Sequence, residues 1–205
     1  MSKHYYIIVD TETTRRDTVA DFGAVVIDRK GKIVDQFGAL VLGHFGKFAL
    51  FSDPSLDSSE FWSDQSAQRR QKNYEAMLEA GQRSISSPAL IQQWLWATNA
   101  RYAPVLTAYQ LSFDFGKCEK TRINLGIFSE RFCLMKAAKK SIGVLADYQD
   151  FCYDNDLLTK KLRKPQMTAD AMAKYIVGEG LADEPHTALE DARDYEAVIL
   201  NYILR

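Results

Sequence analysis

The first part of the chain constrains the fold most strongly, because it carries three strand-like segments in succession. Tyr5 to Val9 is a short apolar run rich in aromatic and β-branched residues, as in a buried strand, and it ends on Asp10. Phe22 to Ile27 and Ile33 to Leu42 follow, joined through residues 28–31, whose Asp-Arg-Lys-Gly composition is typical of a hairpin turn. These segments predict three consecutive antiparallel strands.

The rest of the chain alternates helical and strand-like segments. Strands are predicted from Val105 to Tyr109 and from Arg131 to Met135, with a partly helical segment, Asp114 to Ile127, between them. Ser87 followed by Pro88 is a helix-start signal. Further helices are predicted at about Gln65–Ala80, Val144–Leu158 and Thr168–Val177, and in a final amphipathic segment with Leu189, Ala192, Tyr195, Ile199 and Tyr202. This order predicts an α/β fold, a mixed five-stranded sheet flanked by helices.

Composition predicts one globular domain spanning residues 1–205. The chain is 46% hydrophobic, enough to bury a full core. It has no apolar run of membrane-spanning length and no cleavable signal pattern at the start, so we expect a soluble, cytoplasmic protein without membrane contact. Its three cysteines form no C-x-x-C pair, which argues against a disulfide framework and a thiolate zinc site.

The charge balance limits how the protein can meet nucleic acid. A formal net charge of −1 excludes a general basic surface that grips long duplexes through many phosphate contacts. Any contact must therefore be local. Basic clusters occur at Arg15-Arg16, Arg69-Arg70, Lys136 with Lys139-Lys140, and Lys160 to Lys164. For each cluster taken alone, a solvated face is the better interpretation.

Two segments depart from the regular pattern. Residues 43–66 form an irregular, aromatic-rich loop, with Phe45, Phe61 and Trp62 among its rings. These rings can stack on terminal bases, or they can form a small satellite core beneath the loop. Residues 159–179 form a basic and helical elaboration in which substrate choice can reside.

Carboxylates follow the first predicted strand. Asp10 and Glu12 stand two residues apart, and the strand period sends both side chains to the same side. Their charges repel, whereas a divalent cation would hold both groups ionised. Oxygen ligands of this kind suit Mg²⁺ or Mn²⁺. An isolated pair of this spacing can equally be an acidic turn cap.

Two later segments add acidic residues and a histidine. Asp114 follows the predicted fourth strand. His186 precedes the final helix, Asp191 lies in its first turns, and Thr187 is a candidate N-cap, so His186 and Asp191 can face one cleft. Alone, Asp114 carries little information, and a lone histidine before a helix is more often a structural hydrogen bonder.

Taken together, these segments resemble the DEDDh branch of the DnaQ-like exonuclease superfamily. The resemblance rests on D-x-E-T-T at the first strand, F-D after a later strand and H-x-A-L-x-D-A at the final helix, and it extends from Tyr5 to about Tyr202. It implies a ribonuclease-H-like fold and a metal-dependent 3′-to-5′ exonuclease that releases nucleoside 5′-monophosphates with two Mg²⁺ or Mn²⁺ ions. The implied catalytic residues are Asp10, Glu12, Asp114, His186 and Asp191.

The resemblance also supplies roles. Asp10 would bridge two ions about 4 Å apart, with Glu12 and Asp191 completing the nucleophile side and Asp114 acting through water. His186 would accept the proton of the attacking water. The metal ligands would thus be Asp10, Glu12, Asp114 and Asp191. Thr11 and Thr13 are candidates to position the terminal nucleotide, and Arg15 and Arg16 to meet a nearby phosphate.

The sequence departs from the family pattern at four places. One is the elaboration at residues 159–179, which has no counterpart among the family's motifs, and the other three lie in or near the motifs. Arg15-Arg16 replaces a glycine after the first motif, Asp21 replaces a glutamate, and Cys133-Leu134-Met135 replaces D-T-L. The expected partner is single-stranded DNA or RNA with a free 3′ end. Two alternatives stay open: a nucleic-acid-binding module without turnover, and a proofreading or accessory subunit active only in a larger complex. The resemblance also permits a homodimer.

Overall fold

The computed structural model describes residues 5–50, 64–178 and 180–205, and its fold is α/β with a mixed sheet. The strands are β1 Tyr5–Thr13, β2 Val19–Asp28, β3 Ile33–Val41, β4 Ser84–Ser86, β5 Val105–Ala108 and β6 Arg131–Cys133. The helices are α1 Asp64–Glu79, α2 Pro88–Tyr102, α3 Leu111–Lys120, α4 Leu134–Ser141, α5 Ala146–Asp154, α6 Ala169–Val177, α7 Ala188–Glu190 and α8 Ala197–Ile203. A π-helical segment, Asp191–Glu196, joins α7 to α8, and we call residues 188–203 the final helix. Within the described ranges, none of the helices combines the length and apolar character needed to span a bilayer.

The sheet has the order β4-β3-β2-β1-β5-β6. The predicted antiparallel pairing of the first three strands is confirmed, and β5 adds parallel to β1. The turn over residues 28–31 is also confirmed, with Gly31 at φ 79. The prediction of five strands was wrong, because β4 pairs with β3 at the sheet edge. Three residues with two serines give too short and polar a pattern to indicate a strand.

Several helix boundaries match their sequence signals. The Ser87 side chain caps α2, and the Thr168 side chain caps α6 by accepting from the Ala171 amide. The strand predicted from Arg131 to Met135 ends early, since α4 begins at Leu134. The residues from Leu134 onward follow an amphipathic helical pattern, and they form a helix with Leu134 fully buried in the core.

The core lies on both faces of the sheet, and β1 divides it. Ile7 and Val9 pack on one side with residues of α2 and α3, whereas Ile8 packs on the other side with the final helix and α6. The side chains of β1 therefore turn polar where the strand leaves the core, at Asp10. Both layers of helices meet the sheet beside this point.

The two segments that depart from the regular sequence pattern, residues 43–66 and 159–179, differ in how far the structure describes them. Residues 51–63 lie outside the described part of the chain, and α1 begins at Asp64. Of the predicted aromatic loop, Phe45 packs edge-on against Tyr74 at 5.7 Å between ring centroids, in a satellite core with Leu40 and Leu50. In the segment 159–179, α6 belongs to the main core, where Met172 is fully buried.

Candidate functional site

The end of β1 supplies the first two carboxylates. Asp10 lies opposite Gly23 of β2, and Glu12 lies opposite Asp21. Directly opposed residues of an antiparallel pair share a face, so both carboxylates lie on the face that the final helix covers. Glu12 is buried and Asp10 is partly buried. The sheet thus fixes their backbone before any side chain is placed.

Asp114 reaches the same region from α3. This helix begins at Leu111 rather than at Asp114, so Asp114 lies in its first turn, 3% exposed. Its Oδ1 accepts a hydrogen bond of 2.8 Å from the buried hydroxyl of Thr11. Thr11, predicted to position a nucleotide, therefore uses its hydroxyl to hold Asp114 beside the strand end.

His186 stands in left-handed backbone just before the final helix, with φ 56. The Tyr74 hydroxyl donates to the His186 carbonyl oxygen at 3.3 Å, and the His186 Nδ1 lies 3.9 Å from Glu12 Oε1. Thr187 occupies the N-cap position, but its side chain makes no capping bond. Instead the Ala188 amide donates to Asp21 Oδ2 at 3.0 Å, so a carboxylate of the sheet receives the first amide of the helix.

Two glycines allow the final helix to lie directly on the sheet. Gly23 and Gly38 are paired across β2 and β3. A Cβ on Gly23 would lie 2.2 Å from the carbonyl carbon of Ala188, and one on Gly38 would lie 2.8 Å from Leu189 Cδ2. Any larger residue at position 23 would push the His186 segment away from Asp10.

A buried network of ion pairs also holds the start of the final helix against the sheet. Arg83, 4% exposed, donates from Nε to Asp21 Oδ1 at 3.2 Å and from Nη1 to Glu190 Oε1 at 3.1 Å. Burial raises the pKa of Asp21, and the Arg83 charge opposes that rise. Arg83 therefore links the sheet to α7, which lies between His186 and Asp191 in the chain.

Three of the predicted side chains come close enough to share an ion. Ligand atoms of Glu12, His186 and Asp191 all lie within 4.8 Å of one another. Asp191 is 2% exposed, and its Oδ1 has no hydrogen-bond partner among the described residues. Two carboxylates and an imidazole fit a divalent cation such as Mn²⁺ or Mg²⁺. Asp10 and Asp114 line the same cleft outside this tight group.

The carboxyl groups disfavour one another's ionisation. Burial raises the pKa of Asp191 to about 10, with further contributions from Glu184 and Glu12. Burial also raises the pKa of Asp114 to about 7. The pKa of Asp10 lies well above its ordinary value because of burial and then the charge of Glu196. A bound cation would offset this repulsion and restore the ionised forms.

His186 has the opposite shift. Burial and then the Arg70 charge lower its pKa from the ordinary histidine value. The imidazole is therefore neutral at pH 7, and one ring nitrogen can accept a proton.

These side chains line a cleft of about 670 Å³. Of the predicted substrate-binding residues, Thr13 and Arg15 line it, whereas Arg16 is exposed and is not among the described residues of its wall. Phe113, 44% exposed, also lines the cleft, and the Lys117 ammonium lies 4.7 Å from its ring centroid. The position of Phe113 directly before Asp114 was the available sequence signal for this ring.

Sequence reasoning missed two further acids of the cleft, Glu184 and Glu196. Burial raises the pKa of Glu184 to about 7. Glu196 is 2% exposed, and its Oε2 accepts from the Tyr109 amide at 3.2 Å. Glu196 follows Asp191 by five residues, a spacing that would separate two side chains on an α-helix, so the sequence carried no signal for it.

Comparison with known proteins adds no assignment. No protein-family model matches the chain, and no curated protein matches it either.

Proposed function

We propose that the protein is a metal-dependent 3′-to-5′ exonuclease with a ribonuclease-H-like fold, of the DEDDh type. One observation carries the proposal: four acids and a histidine from three distant parts of the chain line one cleft. They are Asp10, Glu12, Asp114, His186 and Asp191. A structural role alone gives no reason to concentrate mutually repelling, buried carboxylates at one point.

The residues divide the work of phosphodiester hydrolysis. Glu12 and Asp191 would hold a divalent ion beside His186, and Asp10 and Asp114 would extend the site along the cleft. When bound, divalent ions would lower the pKa of the attacking water and neutralise charge that develops on the phosphate. His186, neutral at pH 7, would accept the proton of that water. Thr11 keeps Asp114 in place through its 2.8 Å hydrogen bond.

The substrate would be a single strand that enters by its 3′ end. Phe113 offers an exposed ring beside the carboxylates for stacking on a base. Arg15 and Lys117, the second of which is paired with Asp17 at 2.6 Å, also line the cleft and would meet neighbouring phosphates. A duplex end would react more slowly, because unpairing each terminal base costs a few kcal/mol. With a net charge of −1, few counterions are released, so the affinity depends weakly on salt.

The proposal is tested by digesting labelled DNA and RNA oligonucleotides with Mg²⁺, with Mn²⁺ and with EDTA. We expect turnover with either ion, none in EDTA, and none from Asp10→Asn. Asp154→Asn, which removes the same charge from an exposed position on α5, serves as the matched control and should act as the wild type. Full turnover by folded Asp10→Asn would overturn the proposal. If the wild-type protein binds the oligonucleotides tightly but does not hydrolyse them, the binding-module alternative is favoured.

A further inference from the structure

Glu196 is an acidic residue that the family resemblance leaves without a role. It ends the π-helical segment Asp191–Glu196 and is 2% exposed, although a glutamate is rarely buried without a charged partner or an ion. Its side chain lines the candidate cleft together with Asp10 and Asp114. The position is therefore costly unless it serves the site.

The π-helical geometry brings Glu196 to the cleft. In an α-helix, residues five apart point about 140° away from each other. Here the Ala197 amide donates to the carbonyl oxygen of Ala192, five residues back, and this wider turn aligns residues at that spacing. As a result, Asp191 and Glu196 both line the cleft. Such segments occur often at functional sites.

The surroundings of Glu196 do not explain its charge. Its Oε2 accepts a hydrogen bond from the Tyr109 amide, a bond that a neutral glutamine could also accept. Burial and then the charges of Asp114 and Glu184 raise the pKa of Glu196 well above the ordinary glutamate value, and the charge of Glu196 in turn raises the pKa of Asp10. A carboxylate among carboxylates loses stability unless a cation lies between them.

A second observation points to a ligand in this cleft. Asp191, at the other end of the same π-helical segment, is 2% exposed, and its Oδ1 lacks a hydrogen-bond partner among the described residues. A buried, unsatisfied carboxylate oxygen costs free energy that an ion would recover.

We propose that Glu196 is a further acidic residue of the ion site, which strengthens divalent-ion binding on the Asp10 and Asp114 side of the cleft. This inference rests on the proposed function. Glu196 acts as a positioning residue for the ions, whereas the five residues named above carry the reaction.

The test is Mn²⁺ binding to the metal-free protein by isothermal titration calorimetry, together with thermal melts. Glu196→Gln keeps an acceptor for the Tyr109 amide and removes only the charge. We expect its apparent Kd for Mn²⁺ to rise by roughly 10-fold or more. Its metal-free melting temperature should not fall, because the glutamine still accepts from the Tyr109 amide and burial already disfavours the ionised glutamate. Asp194→Asn, which removes a partly exposed charge from the same segment and weakens its pair with Arg193, is the matched control: its affinity for Mn²⁺ should stay at the wild-type value.

The outcomes separate the two proposals. Unchanged Mn²⁺ binding in Glu196→Gln, alongside lost binding in Asp10→Asn, would overturn the role of Glu196 and leave the proposed function standing. A wild-type protein that binds no Mn²⁺ would overturn both. A Glu196→Gln variant with a lowered melting temperature and unchanged Mn²⁺ binding would assign Glu196 to structure alone.

Discussion

Asp10 and Glu12 stand on a strand that is hydrogen-bonded within the centre of the sheet, whereas His186 stands in left-handed backbone ahead of a helix. The first pair, which we call the strand half, is placed by backbone pairing. The second, the helix half with His186 and Asp191, depends on a glycine gap, a buried arginine and a tyrosine hydroxyl. The two halves should therefore respond differently to substitution: the helix half can be displaced from a distance, and the strand half cannot.

Loss of Arg83 should have the largest effect on the helix half. Arg83→Gln leaves Asp21 and Glu190 without their cation, so we expect the free energy of unfolding to fall by about 3–5 kcal/mol, with a large loss of turnover. Urea denaturation measures the free energy of unfolding, and oligonucleotide digestion measures the turnover. Arg193→Gln breaks a partly exposed pair with Asp194 and should cost only about 0–1 kcal/mol. The comparison fails if both arginine variants behave alike.

Loss of His186 tests the helix half without moving it. His186→Ala should lower the rate by roughly 10²- to 10⁴-fold, the usual contribution of a general base. The wild-type rate should fall as pH drops through the pKa of His186, which burial lowers from the ordinary histidine value. Since the unfolded state binds this proton more readily, stability also falls as pH drops through that window. An unchanged rate and profile in the variant would give His186 a structural role.

A methyl group added at Gly23 should disturb the helix half and leave the strand half in place. Gly23→Ala would bring a Cβ to 2.2 Å from the Ala188 backbone, so the final helix must shift and stability should fall by about 3 kcal/mol. Rate and stability would then fall together, unlike in His186→Ala. At Gly116 on α3 an added Cβ meets no atom within 4 Å, so Gly116→Ala should be neutral or slightly stabilising. Wild-type turnover in Gly23→Ala would show that the close approach is dispensable.

The smallest expected effect belongs to Tyr74. Tyr74→Phe removes only the hydroxyl that donates to the His186 carbonyl oxygen, so we expect a loss of about 1 kcal/mol and a modest fall in rate. Chemical denaturation and initial rates measure both. Removal of a buried ring, as in Tyr74→Ala, should cost more because the satellite core with Phe45 is lost. A Tyr74→Phe rate as low as that of His186→Ala would contradict this ranking.

The strand half could be predicted well from sequence. The apolar run before Asp10, the spacing of Asp10 and Glu12, and the turn before β3 are local patterns, and local patterns specify strands and turns. The helix signal at Ser87-Pro88 is equally local. These predictions needed no knowledge of which distant residues meet.

The supports of the helix half could not be predicted in this way. Arg83 and Asp21 are 62 residues apart, and although Asp21 departs from the family pattern, nothing in either segment indicates that the two side chains meet. Gly23 is one glycine among eleven until Ala188 is seen to lie against it. Glu196 required a π-helical turn, which no residue pattern announced. Long-range packing and backbone irregularity decide these features, and a single sequence does not display them.

The central claim, stepwise hydrolysis from a 3′ end, is tested most directly by one digestion. A 5′-labelled single-stranded oligonucleotide with a free 3′ end is compared with the same strand carrying a blocked 3′ end and with a covalently closed circle, all in Mg²⁺. The account predicts a ladder that shortens from the free end one nucleotide at a time, with the blocked strand and the circle left intact. Rapid cleavage of the circle would show an endonuclease and would contradict the account.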